Sequence, residues 1–304
     1  MKTIIIGLGV QGQKRLLHAG NDVVATVDPN SQEASFELLE KVPHELYDCA
    51  LVATPDNAKS DIVKYLIEKR KHVMVEKPFI FKPHNSLYVI EQEARKNGVF
   101  VYTAYNHRFE PNFKKMKDFL LSNSIGKIYS CRIFYGNGTA LLVKESPWRD
   151  SASGVLQDLG SHVLDTVDFW FSRGTLTDGK VHLSNYENKS PDHVIASFRM
   201  NKILFNLEIS LCSWKNTFEC DVIGSEGSLH IRGLSKWGSS NFIHRIRKFP
   251  SGVPTEETFM EPIGDPTWQL EYKFFTDQIN SGAVTSLAKD NWITSSLSYL
   301  NSLG

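Results

Sequence analysis

In the stretch "GVLQDLGSHVLD", Asp158, His162 and Asp165 stand at i, i+4 and i+7, which brings them onto one face of any helix that contains them. A carboxylate one turn from an imidazole can hold it in a single tautomer, leaving the other ring nitrogen to take or give a proton. Leu156, Leu159, Val163, Val167 and Trp170 cover much of the rest of the segment Gly154–Phe171. A polar stripe on so apolar a helix suits the wall of a cleft better than a broad water-facing surface. Taken alone, an Asp–His pair at this spacing is more often a surface pair than a catalytic one.

A second group with chemical capacity is Glu76-Lys77-Pro78, into which the apolar run Val73-Met74-Val75 leads directly. In open α/β sheets, ligands sit beyond the carboxyl ends of the strands. A partly desolvated lysine held at that edge can position a substrate hydroxyl and stabilise a developing alkoxide. Glu76 would orient it, and Pro78 would fix the turn. A lysine in an ordinary loop is simply solvated, so the reading depends on the element that precedes it.

The third group is Gly7-Leu8-Gly9-Val10-Gln11-Gly12, a full GxGxxG. Gly7 permits a tight turn, Gly9 lets the backbone approach a pyrophosphate on a helix N-terminus, and Gly12 allows close helix–strand packing. The pattern is weak in isolation, but an apolar strand precedes it and a helical pattern follows. Asp28 ends the next strand, about 20 residues on, where an acidic residue meets the adenosine ribose. Asp28 would accept hydrogen bonds from the ribose hydroxyls and repel a 2′-phosphate. Pro29 and Asn30 follow it, with no Arg to hold such a phosphate, so NAD is favoured over NADP. The plainer alternative is that Asp28 merely starts a turn with Pro29.

The elements that must position these residues are legible. Short apolar runs at Thr3–Ile6, Asp22–Asp28, Cys49–Thr54, His72–Val75 and Val99–Thr103 read as strands. Between them, Leu16-Leu17, Leu38-Leu39, Ile62/Leu66/Ile67 and Leu87/Ile90/Ala94 recur at helical spacing. Continuous apolar strands separated by helices imply a doubly wound α/β domain with a parallel sheet covered on both faces. The second half changes character. Ile203, Phe205, Leu207, Ile209 and Leu211 alternate with polar residues, as do Val194, Ala196, Phe198 and Met200. That alternation predicts an antiparallel sheet with one covered face. Two helices are expected at Trp268–Asn280 and Asp290–Leu300, and "NKSPD" and "KFPSGVPTEE" read as loops. The expected division is a first domain over residues 1–118 and a second over 119–304, with the last helices returning towards the first.

Composition narrows the partners. The 304 residues carry 34 basic and 34 acidic side chains, a net charge of zero, which argues against nucleic acid or a membrane surface as partner. No apolar run is long enough to span a bilayer, and the short, Gly-broken apolar start lacks a cleavage site and reads as a strand. Cys49, Cys131, Cys212 and Cys220 are scattered, as suits small core residues in a reducing compartment, and the cytoplasm is expected. The remaining histidines show no paired ligand spacing, so no metal is expected.

With these residues in place the chain resembles the glucose–fructose oxidoreductase/inositol dehydrogenase/MocA family. The resemblance rests on the GxGxxG start, "VATPDNAKSDIVKYLIEKRKHVMVEKPF", "YNHRFEPNFKKMKDFL", "GVLQDLGSHVLD" and "VIGSEGSLHIRG", and so covers nearly the whole chain. It implies an N-terminal Rossmann doubly wound parallel sheet plus a C-terminal α/β domain with a large open, mostly antiparallel sheet. It implies NAD-dependent oxidation of a sugar, polyol or nucleotide-sugar hydroxyl, in a homodimer or homotetramer joined through that sheet. Carried over, Lys77 polarises the substrate hydroxyl, His162 takes its proton, and Asp158 orients substrate or His162. Gly7, Gly9, Val10, Gln11, Gly12, Asp28, Thr54, Pro55, Glu76 and Lys77 would contact the cofactor. Tyr105, Asn106, Arg108, Trp148, Arg149 and Asp165 would wall the substrate pocket, Trp148 stacking on a sugar or else packing inside the fold. Where the family often has His in its "TPNxxH" stretch, this chain has Lys59. An NAD-dependent glycosidase working through transient oxidation, and a non-catalytic sensor of NAD and sugar, remain alternatives.

Overall fold

Ile4, Ile5 and Ile6 are buried along β1 (Thr3–Ile6), the strand from which the first sheet is built. The computed structural model describes residues 1–80, 86–146, 149–151 and 153–304, Ser86 in its backbone only. In chain order β1 is followed by α1 (Val10–Ala19), β2 (Val23–Val27), β3 (Cys49–Val52), α2 (Asp56–Glu68), β4 (His72–Glu76), α3 (Ser86–Lys96) and β5 (Val101–Ala104). Then come α4 (Pro111–Leu121), β6 (Ile128–Gly136), α5 (Ala140–Lys144), α6 (Val155–Phe171), β7 (Thr177–Ser184), β8 (His193–Met200) and β9 (Ile203–Ser210). The chain ends with β10 (Thr217–Gly224), β11 (Gly227–Arg232), β12 (Ser240–Ile246), β13 (Thr255–Glu261), α7 (Thr267–Asn280) and α8 (Ala288–Asn301).

Two units result, Met1–Asn106 with Pro266–Asn291, and His107–Asp265 with Trp292–Gly304. In the first, five strands pair in the order β2-β1-β3-β4-β5, all parallel. Alternation along each strand sends side chains to opposite faces. Ile4, Ile6, Val52 and Val75 join Val63, Leu66 and Ile90 from α2 and α3, while Ile5, Leu51 and Met74 join Tyr272 and Phe275 from α7. Both faces are therefore covered, as the continuous apolar strands required. The chain leaves β1 towards β2 on one side and resumes at β3 on the other, which makes the β1/β3 border the switch point where such sheets bind ligands.

The second unit holds an eight-stranded sheet, β13-β12-β11-β10-β6-β9-β8-β7. Its neighbours are antiparallel except β6 and β9, which run parallel. Phe198, Phe205, Leu207, Phe218 and Phe242 are fully buried, and their alternating neighbours Ile195, Asn206, Glu208 and Ile223 face the other way, exposed.

Three local expectations change. The Leu38-Leu39 pattern yields no α-helix, only short 3-10 turns at Leu39–Lys41 and His44–Leu46. Pro43 stands between them, and Phe36 is drawn out into a parallel bridge with Val27. The division, drawn at residue 118 within an expected range of 105–125, falls early in that range at Asn106/His107, because α4 packs with the second unit: Trp170 Nε1 donates to Phe113 O at 3.0 Å, and Phe113 and Met116 are fully buried. Finally, β13 begins at Thr255, inside the segment expected to be a loop.

Candidate active site

The turn after β1 has the shape of a phosphate cradle. Gly7 sits at φ +90°, and a Cβ there would lie 2.6 Å from Ala53 O, so only glycine fits without strain. A Cβ on Gly12 would lie 1.8 Å from Gly7 O, so α1 runs hard against the turn. Around Gly9 the opposite holds: a Cβ would meet nothing within 4 Å among the described residues. Gly9 is the N-cap of α1 and no side chain among the described residues caps the helix, which leaves the first-turn amides of Val10 and Gln11 beside an open approach. Asp28, at the end of β2, accepts from Leu8 N at 2.7 Å through Oδ2 and from Asn30 N at 2.8 Å through Oδ1. Its carboxylate therefore stands beside the turn, each oxygen with a lone pair to spare. Thr54 and Pro55 lead from β3 into α2, and Thr54 Oγ1 is buried without a hydrogen-bond partner among the described residues. Bare helix amides, an open backbone and an orphan hydroxyl fit a dinucleotide. Gly9→Ala should fold as stably as the parent yet bind NAD about tenfold more weakly, whereas Gly12→Ala should lose stability as well. Calorimetric titration with NAD beside thermal melts checks both, and equal behaviour of the two variants would sink the cradle reading.

At the carboxyl end of β4 the sequence Glu76-Lys77-Pro78 divides its duties. The Glu76 carboxylate meets Arg15 of α1, accepting from Nε at 2.7 Å and standing 2.6 Å from Nη2. Arg15 also pairs with Glu271 of α7, Nη1 to Oε2 at 2.8 Å, and lies over the Trp268 ring at 4.4 Å. Glu76 thus ties the strand end to the helix that follows the glycine turn. Lys77, next along, is half-buried.

In the second unit Asp158, His162 and Asp165 run along α6 into the interior: the Asp158 side chain is 36% exposed, His162 is 8% and Asp165 1%. Arg149 Nη2 donates to Asp158 Oδ2 at 3.3 Å. The His162 ring stacks on His107 at 4.2 Å between centroids and meets Tyr135 edge-on at 6.3 Å. Lys236 Nζ lies 3.0 Å from His107 Nε2, which must accept, so the ring proton of His107 belongs on Nδ1. Burial first, then the Asp158 carboxylate, pushes the Tyr135 phenol well above its usual value. Trp237 stacks on Tyr135 at 5.9 Å. A histidine in this setting, largely buried among aromatic rings and beside a carboxylate-bearing turn of helix, can move a proton under restricted hydration.

Of the residues expected to wall a pocket, Tyr105 and Asn106 belong to the first unit and Arg108, Arg149 and Asp165 to the second. Arg108 and Asp165 are brought together: Arg108 Nε donates to both Asp165 oxygens at 2.9 Å, and Nη2 to Asp168 Oδ2 at 2.6 Å. Burial alone would lower the Arg108 pKa, but Asp165 and then Asp168 outweigh it and hold the guanidinium charged. Tyr105 is buried under Lys289, whose Nζ lies 4.5 Å from its ring, and Asn106 Nδ2 donates to Thr267 Oγ1 at 2.8 Å. Trp148 lies outside the described residues. His107, Tyr135 and Lys236 escape sequence reasoning. His107 adjoins Asn106 in a quoted motif, yet its ring finds His162 only through the fold; Tyr135 alternates with Cys131 and Ile133 on β6 and reads as core.

Comparison with known proteins agrees with this architecture. The model of an oxidoreductase family with an NAD-binding Rossmann fold matches residues 1–105, and that of the GFO/IDH/MocA C-terminal domain matches 113–230. Glucose-6-phosphate 3-dehydrogenase of Bacillus subtilis (strain 168) is 26% identical over 233 residues, 67% of this chain and 65% of that protein. Myo-inositol 2-dehydrogenase of Thermotoga maritima is 31% identical over 152 residues, 44% of each. The matches thus span just under two thirds of one relative and under half of the other. Levoglucosan dehydrogenase in complex with NADH shares the fold, with a TM-score of 0.85 at 18% identity over 99% of this chain and 96% of that one. Two domain models of one family, matched in order over most of its length, place the chain in the GFO/IDH/MocA oxidoreductase family.

Proposed function

We propose that the protein is an NAD-dependent dehydrogenase acting on a secondary hydroxyl of a sugar, polyol or nucleotide-linked sugar. The observation that carries this reading is the placement of Lys77. It follows β4 at the same carboxyl edge of the parallel sheet as the glycine turn after β1 and the Thr54-Pro55 turn after β3. Bound at that edge, the nicotinamide would supply the hydride acceptor. The Lys77 ammonium donates to the substrate oxygen and stabilises it as negative charge develops. His162 takes the hydroxyl proton, and Asp158 orients the substrate or that ring. Tyr105, Asn106, Arg108, Arg149 and Asp165 shape the surroundings through the packing, hydrogen bond and ion pairs above. The names of the two relatives, a glucose-6-phosphate and an inositol dehydrogenase, support a sugar or polyol as substrate. No helix among the described residues is long and apolar enough to cross a membrane; the cytoplasmic location is proposed on the scattered cysteines alone. The uncovered face of the eight-stranded sheet carries Ile195, Ile223 and Met260 beside charged residues, a mixed surface that suits a homodimer or homotetramer.

The test is NADH formation by the purified protein across inositols, aldoses, sugar phosphates and UDP-sugars. Net NADH with one of them supports the dehydrogenase. Release of an aglycone from a glycoside without net reduction would replace it by a glycosidase, and tight NAD binding with neither would replace it by a sensor. NAD over NADP rests on Asp28. In Asp28→Ala the NAD Kd should rise about tenfold and the preference over NADP narrow, as read by titration with both nucleotides. An unaltered preference would take the choice away from Asp28.

A further inference from the structure

The turn that carries Lys77 is held by a residue whose type is unexpected in its place. Lys59 lies on α2 with only 4% of its surface exposed. Its Nζ donates to Asp56 Oδ1 at 2.6 Å, to Pro78 O at 3.1 Å and to Lys77 O at 3.3 Å. An ammonium has three protons, and these three acceptors use them all. Burial pulls the Lys59 pKa below its usual value, and the Asp56 carboxylate, then Glu76, works against that shift. A lysine on a helix ordinarily extends its charge into water. Here two of the three bonds go to the backbone carbonyls of the residues that follow β4. The third goes to the first residue of α2, next to the Thr54-Pro55 turn. Lys59 therefore fastens the turn after β4 to the turn after β3.

We propose that Lys59 is a positioning residue, whose buried ammonium fixes the backbone of Lys77 and Pro78 against the start of α2 and so sets the point from which the Lys77 side chain reaches its substrate. The inference rests on the role given to Lys77 above. A reacting group displaced by about 1 Å can lose roughly a hundredfold in rate. A residue that only stabilised the fold would lower the melting temperature and leave the turnover of folded protein unchanged.

The experiment compares Lys59→Met, Lys59→Gln and Lys77→Met with the parent. Amide hydrogen exchange by mass spectrometry, which needs no substrate, should run about tenfold faster in the peptide containing Lys77–Ile80 of Lys59→Met, with the β1 and β5 peptides unchanged. Where myo-inositol, glucose 6-phosphate or UDP-glucose supports NADH formation by the parent, kcat of Lys59→Met should fall about 10- to 100-fold. The NAD Kd should stay within about threefold, and the primary deuterium isotope effect on kcat should rise as chemistry becomes slower. Lys59→Gln, which keeps an amide donor for the carbonyls, should lie between the two and serves if Lys59→Met does not fold. Parent-like exchange at Lys77–Ile80, or turnover within about twofold of the parent, would overturn the proposal. Faster exchange together with an active Lys77→Met would leave the fastening in place and remove Lys77 from the chemistry.

Discussion

Lys77→Met should lower kcat by about 10²- to 10³-fold, roughly 3–4 kcal/mol, the loss found when one donor to a developing oxyanion is removed. Methionine keeps most of the length and bulk of the side chain, so the change isolates the charge. The NAD Kd should stay within about threefold, since the cradle is made by the Gly7–Gly12 backbone and the start of α1. A fall in kcat and in kcat/KM together would mean that the lost interaction is made in the transition state, whereas a rise in KM alone would mean simple binding. Parent-like initial rates with the best sugar or polyol would take Lys77 out of the mechanism. A weakened NAD complex with an unchanged rate would make it a cofactor contact only. The mutation does not touch the carbonyl that Lys59 holds, so the turn itself should stay in place.

Much of this was legible because each signal was local. The strands of the first sheet are continuous apolar runs, and the glycine turn is a contiguous fingerprint between a strand and a helix. The alternation in β8 and β9 spells out one covered face. Where a short stretch lacked such a signal, the reading slipped: Leu38-Leu39 has helical spacing, but Pro43 and the bridge from Phe36 to Val27 turn the connection into tight turns. The parallel pairing of β6 with β9 inside an otherwise antiparallel sheet could not be read either, since alternation reports which face is buried and not the direction of a neighbour.

At the site, residue types were readable and partnerships were not. Arg108 and Asp165 both looked like pocket residues, since each is a charged group in a suggestive motif; the fold pairs them with each other. Lys59 stood out in the sequence only as a departure from the family's usual His, and only the packing of α2 against the end of β4 buries it. His107 and His162 lie far apart in sequence, and their ring stack exists only because the segment before α4 and the helix α6 meet within one unit. Contacts of this kind carry no periodicity, so no pattern in the sequence could announce them.

Arg15→Met should destabilise the first unit by about 3–5 kcal/mol, because it leaves two carboxylates behind where one guanidinium held both. Arg15 is 3% exposed and Glu271 fully buried, with Tyr102 Oη donating to Glu271 Oε1 at 3.2 Å. Burial raises the Glu271 pKa to about 7, with Arg15 working downwards against it and Glu76 adding to the rise. Between the ordinary value of 4.5 and about 7, the folded chain holds a proton on Glu271 that the unfolded chain has already released. That contribution to stability is complete below the lower value and is lost as pH rises through the window. Without Arg15 the downward pull disappears and the window extends to higher pH. The deficit of the variant should therefore be larger at pH 8 than at pH 5.5, as read from denaturant midpoints at the two pH values. A deficit below about 1 kcal/mol, or one indifferent to pH, would mean that water reaches this cluster and that Glu76 needs no buried partner to hold the strand end before Lys77.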